Sequence, residues 1–559
     1  MKIKVLWQSY YDEVPRYTYW DMTMLLDLFY GTLWDAVCSP QYENICNFDA
    51  IEPGEGAVVI IPARYHYKDV DRINADLARL PWVILMIVGD EESTFPTDKI
   101  SHPNMKLWVM TPIPGRHKAD HYLIHGYTPD CRTMLAKLAG DDKSRAWFFA
   151  GQATHRRREE CLAQLEKRED GYLLKTAGFA MGMGHEDYFL RMASSKVIPC
   201  PSGPATPDSF RVAEALEAGC VPMADECTPE AGYPEGYWTN VFGATPPFSI
   251  IRDWGSFGGY LKDLLNTWPD CANKVFAWWQ GYKRKMAYDV IQDLSDLGVK
   301  PEAPGAFKDL VTVLISTSPI PSHPSTEIIE ETIGTVRRWL PESEIIIMID
   351  GIRDSQKSLY GKSYGEYVRR LLWKCNHQWK NILPVFYGEH HHQAAMTRQA
   401  LDLVKTPMIL FVEHDTPLIV DHAIDWANLF EVVLHGHVDM IRFHYDARIY
   451  DEHWPLMLDP QPVLQYGIPF IRTIQWSQRP HLASTSFYRR ILRDNFSPTA
   501  LTMIEDRMHS VVQHHCADNP INGWNDYRLA IYVPEGYMQR SYHLDGRRSD
   551  SKFEDKFTY

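Results

Sequence analysis

Two stretches of this chain hold residues whose types and spacing suit chemistry on a phosphorylated ligand. The first, Ser194–Ala224, reads strand, loop, helix, strand. Lys196–Cys200 is a short apolar run of strand length, and Pro201–Pro207 is turn chemistry. Asp208 or Ser209 then caps a helix that Gly219 ends. Arg211 and Glu214, three residues apart, share one face of that helix near its start. A helix N-terminus with backbone donors, Ser202 and Gly203 in its loop, Ser209 at its cap and a guanidinium beside it suits a diphosphate. Glu214, one turn deeper, can take the two hydroxyls of a ribose. Upstream, 146–152 (AWFFAGQ) is a strand ending in Gly151-Gln152, with His155-Arg-Arg-Arg158 directly after. Gly151 lets backbone approach a phosphate, and Arg156 or Arg157 could neutralise it. A solvated basic helix start accounts for the arginines equally well.

The second stretch is the strand Met408–Val412, which ends in Glu413-His414-Asp415. Two acids spaced i, i+2 at a strand tip point to one side and suit a divalent cation bridging a diphosphate. A solvated turn is the competing reading. Asp350 ends an earlier strand, Glu344–Ile349, and Arg398 lies on the helix Gln393–Val404. Glu505 and Asp506 open a late helix, and His543 stands near the chain end. The run His390-His391-His392 is set aside, because consecutive residues cannot all face one ion.

These residues need a scaffold, and the chain supplies one of α/β class. Ile3–Gln8, Ala57–Pro62, Trp82–Val88 and Lys106–Met110 are apolar strands alternating with helical stretches, as in a parallel sheet. Ligands of such sheets bind beyond the carboxyl ends of the strands. Arg64, His66, Asp90 and Glu91 stand there, where an acceptor could meet a donor. Residues 1–300 then read as two Rossmann-like halves, 1–145 and 146–300, and Trp254–Asp296 as a helix packing across both. Leu297–Phe307, with two prolines and two glycines, is the best linker, and 301–308 separates the halves from a second α/β domain over 309–559.

Composition narrows the function classes. The 559 residues are 45% hydrophobic and 23% charged, as in globular domains, and carry a formal charge of −15. That charge argues against a broad duplex-DNA surface. The ten cysteines form no C-x-x-C pair, so neither a zinc site nor a disulfide framework is suggested, and a reducing, cytoplasmic setting is expected. No apolar run is long enough to span a bilayer, and MKIKVLWQSYYDE shows no signal-peptide core.

The segments FFAGQ (148–152), DYFLRMASSKVIPCPSG (187–203) and SFRVAEALEAGCVPM (209–223) resemble, in order, the nucleotide-binding half of exostosin-type glycosyltransferases. That resemblance implies a GT-B arrangement of two facing Rossmann-like halves. Animal exostosins are membrane-anchored; the lack of a comparable segment here suggests a bacterial or viral enzyme. The order of parts over 309–548 resembles GT-A glycosyltransferases: a nucleotide loop after the first strand, Asp ending the second, a D-x-D-like tip, a late acidic pair and a C-terminal His. By that resemblance Asp415 binds Mn²⁺ or Mg²⁺ with Glu413 in or near its shell. Asp350 contacts base or ribose, Asp506 in the pair with Glu505 is the general base, and His543 completes the metal shell or touches diphosphate. Glu413 departs from the pattern at its first acid, and Ala483-Ser484 stands where many relatives carry a glycine loop. Arg547-Arg548 could close over a diphosphate.

The expectation is a bifunctional glycosyltransferase with two active sites, taking nucleotide sugars, UDP-linked above all, to a glycan or glycoconjugate acceptor. The alternatives are one active module beside an acceptor-binding one, a viral enzyme glycosylating a modified DNA base, and a lectin-like binder.

Overall fold

The structure is a computed structural model that describes residues 2–7, 23–30, 33–34, 41–45, 47–63, 70–91, 94–112, 119–138, 143–178, 182–229, 236–299 and 307–544. Arg64, His66, Arg547, Arg548 and the linker residues 301–306 lie outside them. The fold is α/β, with two parallel sheets and one mixed sheet. The chain divides into two compact units: Met1–Glu302 with Leu372–Lys380, and Ala303–Leu371 with Asn381–Tyr559.

The first unit holds both parallel sheets. One comprises β1 (Lys2–Trp7), β2 (Gln41–Ile45), β3 (Ala57–Pro62), β4 (Val83–Val88), β5 (Met105–Met110) and β6 (His121–Leu123), in the order β2-β1-β3-β4-β5-β6. AVVIIP and VILMIV are buried at every position, as a parallel sheet covered on both faces requires. The other comprises β7 (Arg145–Gly151), β8 (Tyr172–Lys175), β9 (Ser195–Cys200), β10 (Val221–Asp225) and β11 (Ser249–Ile251), in the order β11-β10-β9-β7-β8. Helix Phe210–Glu217 connects β9 to β10 and buries all but its first two residues. Gly219, at φ +60°, ends it in a conformation that favours glycine.

Trp254–Asp296 is not one helix. It breaks at Thr267–Pro269 between helices Phe257–Asn266 and Asp270–Asp296, where Pro269 has no N–H to continue the first helix. The 27-residue second helix reaches both sheets. Near its end Asp293 accepts from Trp108 Nε1 at 2.7 Å, and Asp296 pairs with Lys106 at 2.7 Å. In its middle Lys283 donates to Glu217 at 2.6 Å.

Glu217 is fully buried and also accepts from Arg132 (2.9 Å), Trp279 Nε1 (2.9 Å) and Asn376 Nδ2 (2.8 Å). Burial alone would raise its carboxyl pKa; Lys283 and Arg132 outweigh burial and hold it well below the usual range. Removing one member leaves uncompensated buried charge, so Glu217→Gln is expected to cost about 3–5 kcal/mol, read from the urea denaturation midpoint.

The second unit is built on a nine-stranded mixed sheet. Its strands are β12 (Val311–Thr317), β13 (Ile345–Ile349), β14 (Ile382–Phe386), β15 (Met408–Glu413), β16 (Met440–Phe443), β17 (Val463–Gln465), β18 (Ile468–Arg472), β19 (His481–Ser484) and β20 (Leu529–Tyr532). Their order is β14-β13-β12-β15-β19-β16-β20-β18-β17. The first four are parallel and fully apolar in their centres; β19 runs antiparallel to β15 and β16. Loops following β12, β13, β14 and β15 therefore gather at one edge, at the strands' carboxyl ends.

Candidate functional sites

In the first unit, a cavity of about 210 Å³ opens where β7 and helix Phe210–Glu217 meet. Gly151, Arg158, Tyr188, Ser209, Arg211 and Glu214 line it. Ser209 holds the N-cap position but makes no side-chain capping bond. Asp208 does not cap either: its carboxylate accepts the His125 N–H at 2.9 Å. The Ser209 hydroxyl, buried and without a hydrogen-bond partner, is thus left to the cavity.

Arg211 is locked in place. Its NH2 donates to the Ala150 carbonyl at 2.8 Å, and its guanidinium lies 4.5 Å from the centre of the Phe149 ring. A Cβ on Gly151 would stand 3.2 Å from that NH2, so the glycine gives the guanidinium its room. Arg158 faces the same space with its Nε buried and unbonded. Burial, followed by the charge of Arg211, pushes the Arg158 pKa down to about 10. Two guanidinium groups crowded in low dielectric repel each other, and an anion between them would relieve the strain. Glu214 is buried, accepting Thr128 Oγ1 at 2.6 Å and Tyr188 OH at 2.9 Å.

Other residues singled out from the sequence stand elsewhere. Arg156 points to solvent and pairs loosely with Glu160 at 3.5 Å, so Arg158 holds the position expected of it. Arg157 forms a two-pronged buried pair with Asp225, at 3.0 and 2.6 Å. Ser202 is fully buried with its hydroxyl unbonded, outside the cavity lining. A Cβ on Gly203 would come within 3.2 Å of the Asp208 carbonyl, so this glycine serves the turn. Asp90 caps its own loop, accepting the backbone N–H of Thr94 at 2.7 Å and of Phe95 at 3.2 Å. Glu91 lies near enough to influence Arg158 and Asp208 electrostatically.

In the second unit, a cavity of about 350 Å³ sits at the carboxyl ends of β12–β15, lined by Asp350, Arg353, His390, Glu413, His414 and Asp415 among others. Asp415 and His543, 128 residues apart (543 − 415), meet at 3.3 Å. Burial works against the Asp415 charge, but His414 and His543 more than offset it and its pKa is lowered. Glu413 accepts from Gln393 Nε2 at 3.1 Å, and Gln393 Oε1 accepts the Ile504 N–H at 3.0 Å. Gln393 thereby ties the β15 tip to the helix carrying Glu505 and Asp506, a link that sequence spacing does not reveal.

Burial, then the charge of Asp415, pushes the Glu413 pKa up from 4.5 to about 8. The native state therefore keeps a proton that the unfolded chain has lost, and stability falls as pH rises between those values. Glu413→Gln is expected to flatten that slope. In EDTA the variant should resist urea better than the parent at pH 8, with the gap closing toward pH 5.

Asp350 is buried and fully engaged. It accepts the backbone N–H groups of Gly351 (2.9 Å), His391 (2.7 Å) and His392 (3.2 Å), and His390 Nδ1 lies 2.9 Å away. It shapes the cavity wall through the histidine loop. Arg398 stands outside the cavity lining, its NH2 donating to the carbonyls of Leu492 and of Phe496 (2.7 Å). Glu505 accepts the Gln478 N–H at 2.9 Å. Asp506 is exposed at the start of helix Ile504–Cys516, and its charge reaches His392.

Among the described residues no three His, Cys, Asp or Glu side chains converge to hold a metal ion. Asp415 and His543 nonetheless fit a cation that takes one or two protein ligands and completes its shell with phosphate oxygens and water. Among the described residues no helix is long and apolar enough to cross a membrane.

No family profile and no curated protein matches the sequence. Solved structures give partial superpositions. TarS 1–349 of S. aureus superposes with a TM-score of 0.26 at 13% identity over 42% of this chain and 60% of that 1–349 chain. The mannosyltransferase PcManGT from Pyrobaculum calidifontis, in complex with GDP-Man and Mn²⁺, gives 0.26 at 15% identity over 41% of this chain and 58% of its own. A197 from STIV gives 0.23 at 12% identity over 45% and 96%. Scores this low carry no weight for fold or activity.

Proposed function

We propose that this chain is a glycosyltransferase that transfers sugars from nucleotide-sugar donors, with a GT-B-like donor site in the first unit and a GT-A-like, metal-assisted site in the second. The observation that carries the reading is the first cavity. Two close guanidiniums, an unpartnered serine at a helix start and a buried carboxylate one turn on match a diphosphate joined to a ribose. Arg158, Arg211 and Ser209 hold the diphosphate and stabilise it as it leaves. Glu214, already oriented by Thr128 and Tyr188, keeps lone pairs free for the ribose hydroxyls.

In the second unit Asp415 and His543 would hold Mn²⁺ or Mg²⁺, a cation that would supply positive charge opposite a diphosphate leaving group. Glu413 stands beside them, Asp350 orders the wall that receives the nucleoside, and Asp506 is the base that deprotonates the acceptor hydroxyl. UDP-linked sugars are the first donors to try, and the acceptor is a glycan or glycoconjugate.

Donor hydrolysis by the full chain tests this, across UDP, GDP and CMP sugars with Mn²⁺ or with EDTA. Two donor activities are expected, one surviving EDTA and one abolished by it. A single activity would reduce the proposal to one working site, and glycan binding without turnover of any donor, acceptor present, would replace it with a lectin-like role.

A further inference from the structure

The helix that carries Glu505 and Asp506 starts without a cap of its own. Met503 holds its N-cap position and makes no side-chain capping bond, although the first turn of any helix leaves backbone N–H groups in need of an acceptor. Another element supplies one. Gln393, second in helix His392–Leu403, accepts the Ile504 N–H through its Oε1 at 3.0 Å. Beside that bond the Ala394 N–H donates to the Thr502 carbonyl at 3.2 Å.

The other end of the same amide reaches the β15 tip, where Nε2 donates to Glu413 Oε1 at 3.1 Å. One partner offers lone pairs and the other an N–H, so only this orientation of the amide satisfies both. Gln393 is 4% exposed and lines the cavity together with Met503 and Glu413. Its direction is set by the residue before it. His392 stands at φ +59°, a left-handed conformation unfavourable for any residue with a Cβ, and Asp350 holds it there by accepting its N–H at 3.2 Å. Backbone strain of this kind persists only where its surroundings enforce it, and it gathers at functional sites. One buried amide thus joins the β15 tip to the first turn of the acidic helix. Asp506 is the third residue of that helix. Helix ends fray, so without Gln393 the first turn would lose its fixed place, and Asp506 with it.

We propose that Gln393 is a positioning residue: it caps the acidic helix from outside and keeps Asp506 in register with the β15 tip for removal of the acceptor proton. The proposal rests on reading Asp506 as the base of the second site. A displacement of about 1 Å in such a group costs on the order of 10²-fold in rate.

The test is a double-mutant cycle on Mn²⁺-dependent donor hydrolysis by the full chain, with water as the acceptor and the UDP, GDP or CMP sugar that is turned over as donor. Gln393→Met keeps the length of the side chain and removes both bonds. It is expected to lower kcat roughly 10- to 100-fold with donor KM within about twofold. In an Asp506→Asn background the same change should cost less than about twofold, because a base already absent cannot be misplaced. Should the methionine variant fail to fold, Gln393→Asn, a methylene too short to span both partners, carries the same expectation. Amide hydrogen exchange reads the cap without any donor: residues 504–507 should exchange roughly five- to tenfold faster in either variant. Unchanged exchange overturns the proposal. So does a loss that adds fully to that of Asp506→Asn, which would make Gln393 a brace for the fold alone. If Asp506→Asn by itself leaves hydrolysis unchanged, the reading of Asp506 as base fails and takes this inference with it.

Discussion

Arg211→Ala is expected to reduce EDTA-resistant donor turnover by roughly 10²–10³-fold in kcat/KM while leaving Mn²⁺-dependent turnover within about twofold. Arg211 is one of the two guanidiniums lining the first cavity, where it donates to a carbonyl, lies over an aromatic face and, against burial, is favoured in its charged form by Tyr188 and Glu214. With Arg158 it gives the cavity two cations beside the single carboxylate of Glu214. Its loss also frees the Ala150 carbonyl and uncovers Phe149, so the variant alone mixes chemistry with packing. Arg158→Met separates the two. It removes a cation whose Nε bonds nothing and relieves repulsion, so the melting temperature should hold or rise while turnover drops by a similar order. A variant that melts as the parent and turns over donor as the parent would show that the cavity binds no diphosphate. Initial rates with and without EDTA, beside thermal melts, decide it.

Asp415→Asn is expected to abolish Mn²⁺-dependent turnover, a loss on the order of 10³-fold for several kcal/mol of lost charge stabilisation, and to leave EDTA-resistant turnover intact. The substitution keeps size and removes charge. Asp415 is the carboxylate that His543 meets, and its ionisation is favoured despite burial, as a cation ligand requires. His543→Ala should weaken the Mn²⁺ requirement constant roughly 10- to 100-fold with a smaller effect on the rate at saturating metal. Equal loss of both turnovers with Asp415→Asn would mean one shared site rather than two. Retained Mn²⁺-dependent turnover would move the metal elsewhere.

The sequence by itself determined the α/β class and much of each site's raw material. AVVIIP, VILMIV and MILFV are readable as buried strands because full burial leaves no polar alternation. Arg211 and Glu214 are readable as neighbours because helical spacing is local. Asp415 and His543 were drawn together only through a family's order of parts, and folding brings them to 3.3 Å.

Tertiary structure decided what local spacing leaves open. Three successive arginines lie about 100° apart around a helix, and only the docking of helix Arg156–Leu165 chose Arg158 for the cavity, Arg157 for Asp225 and Arg156 for solvent. Helix packing likewise turned Arg398 onto the carbonyls of Leu492 and Phe496. Asp350 was legible as a strand-end acid, but the return of the histidine loop, some 40 residues on, fixed what it bonds. Thr128 and Tyr188, which orient Glu214, come from separate elements far from it in sequence. A side chain's type is written locally, whereas its partners depend on long-range packing that no spacing rule encodes.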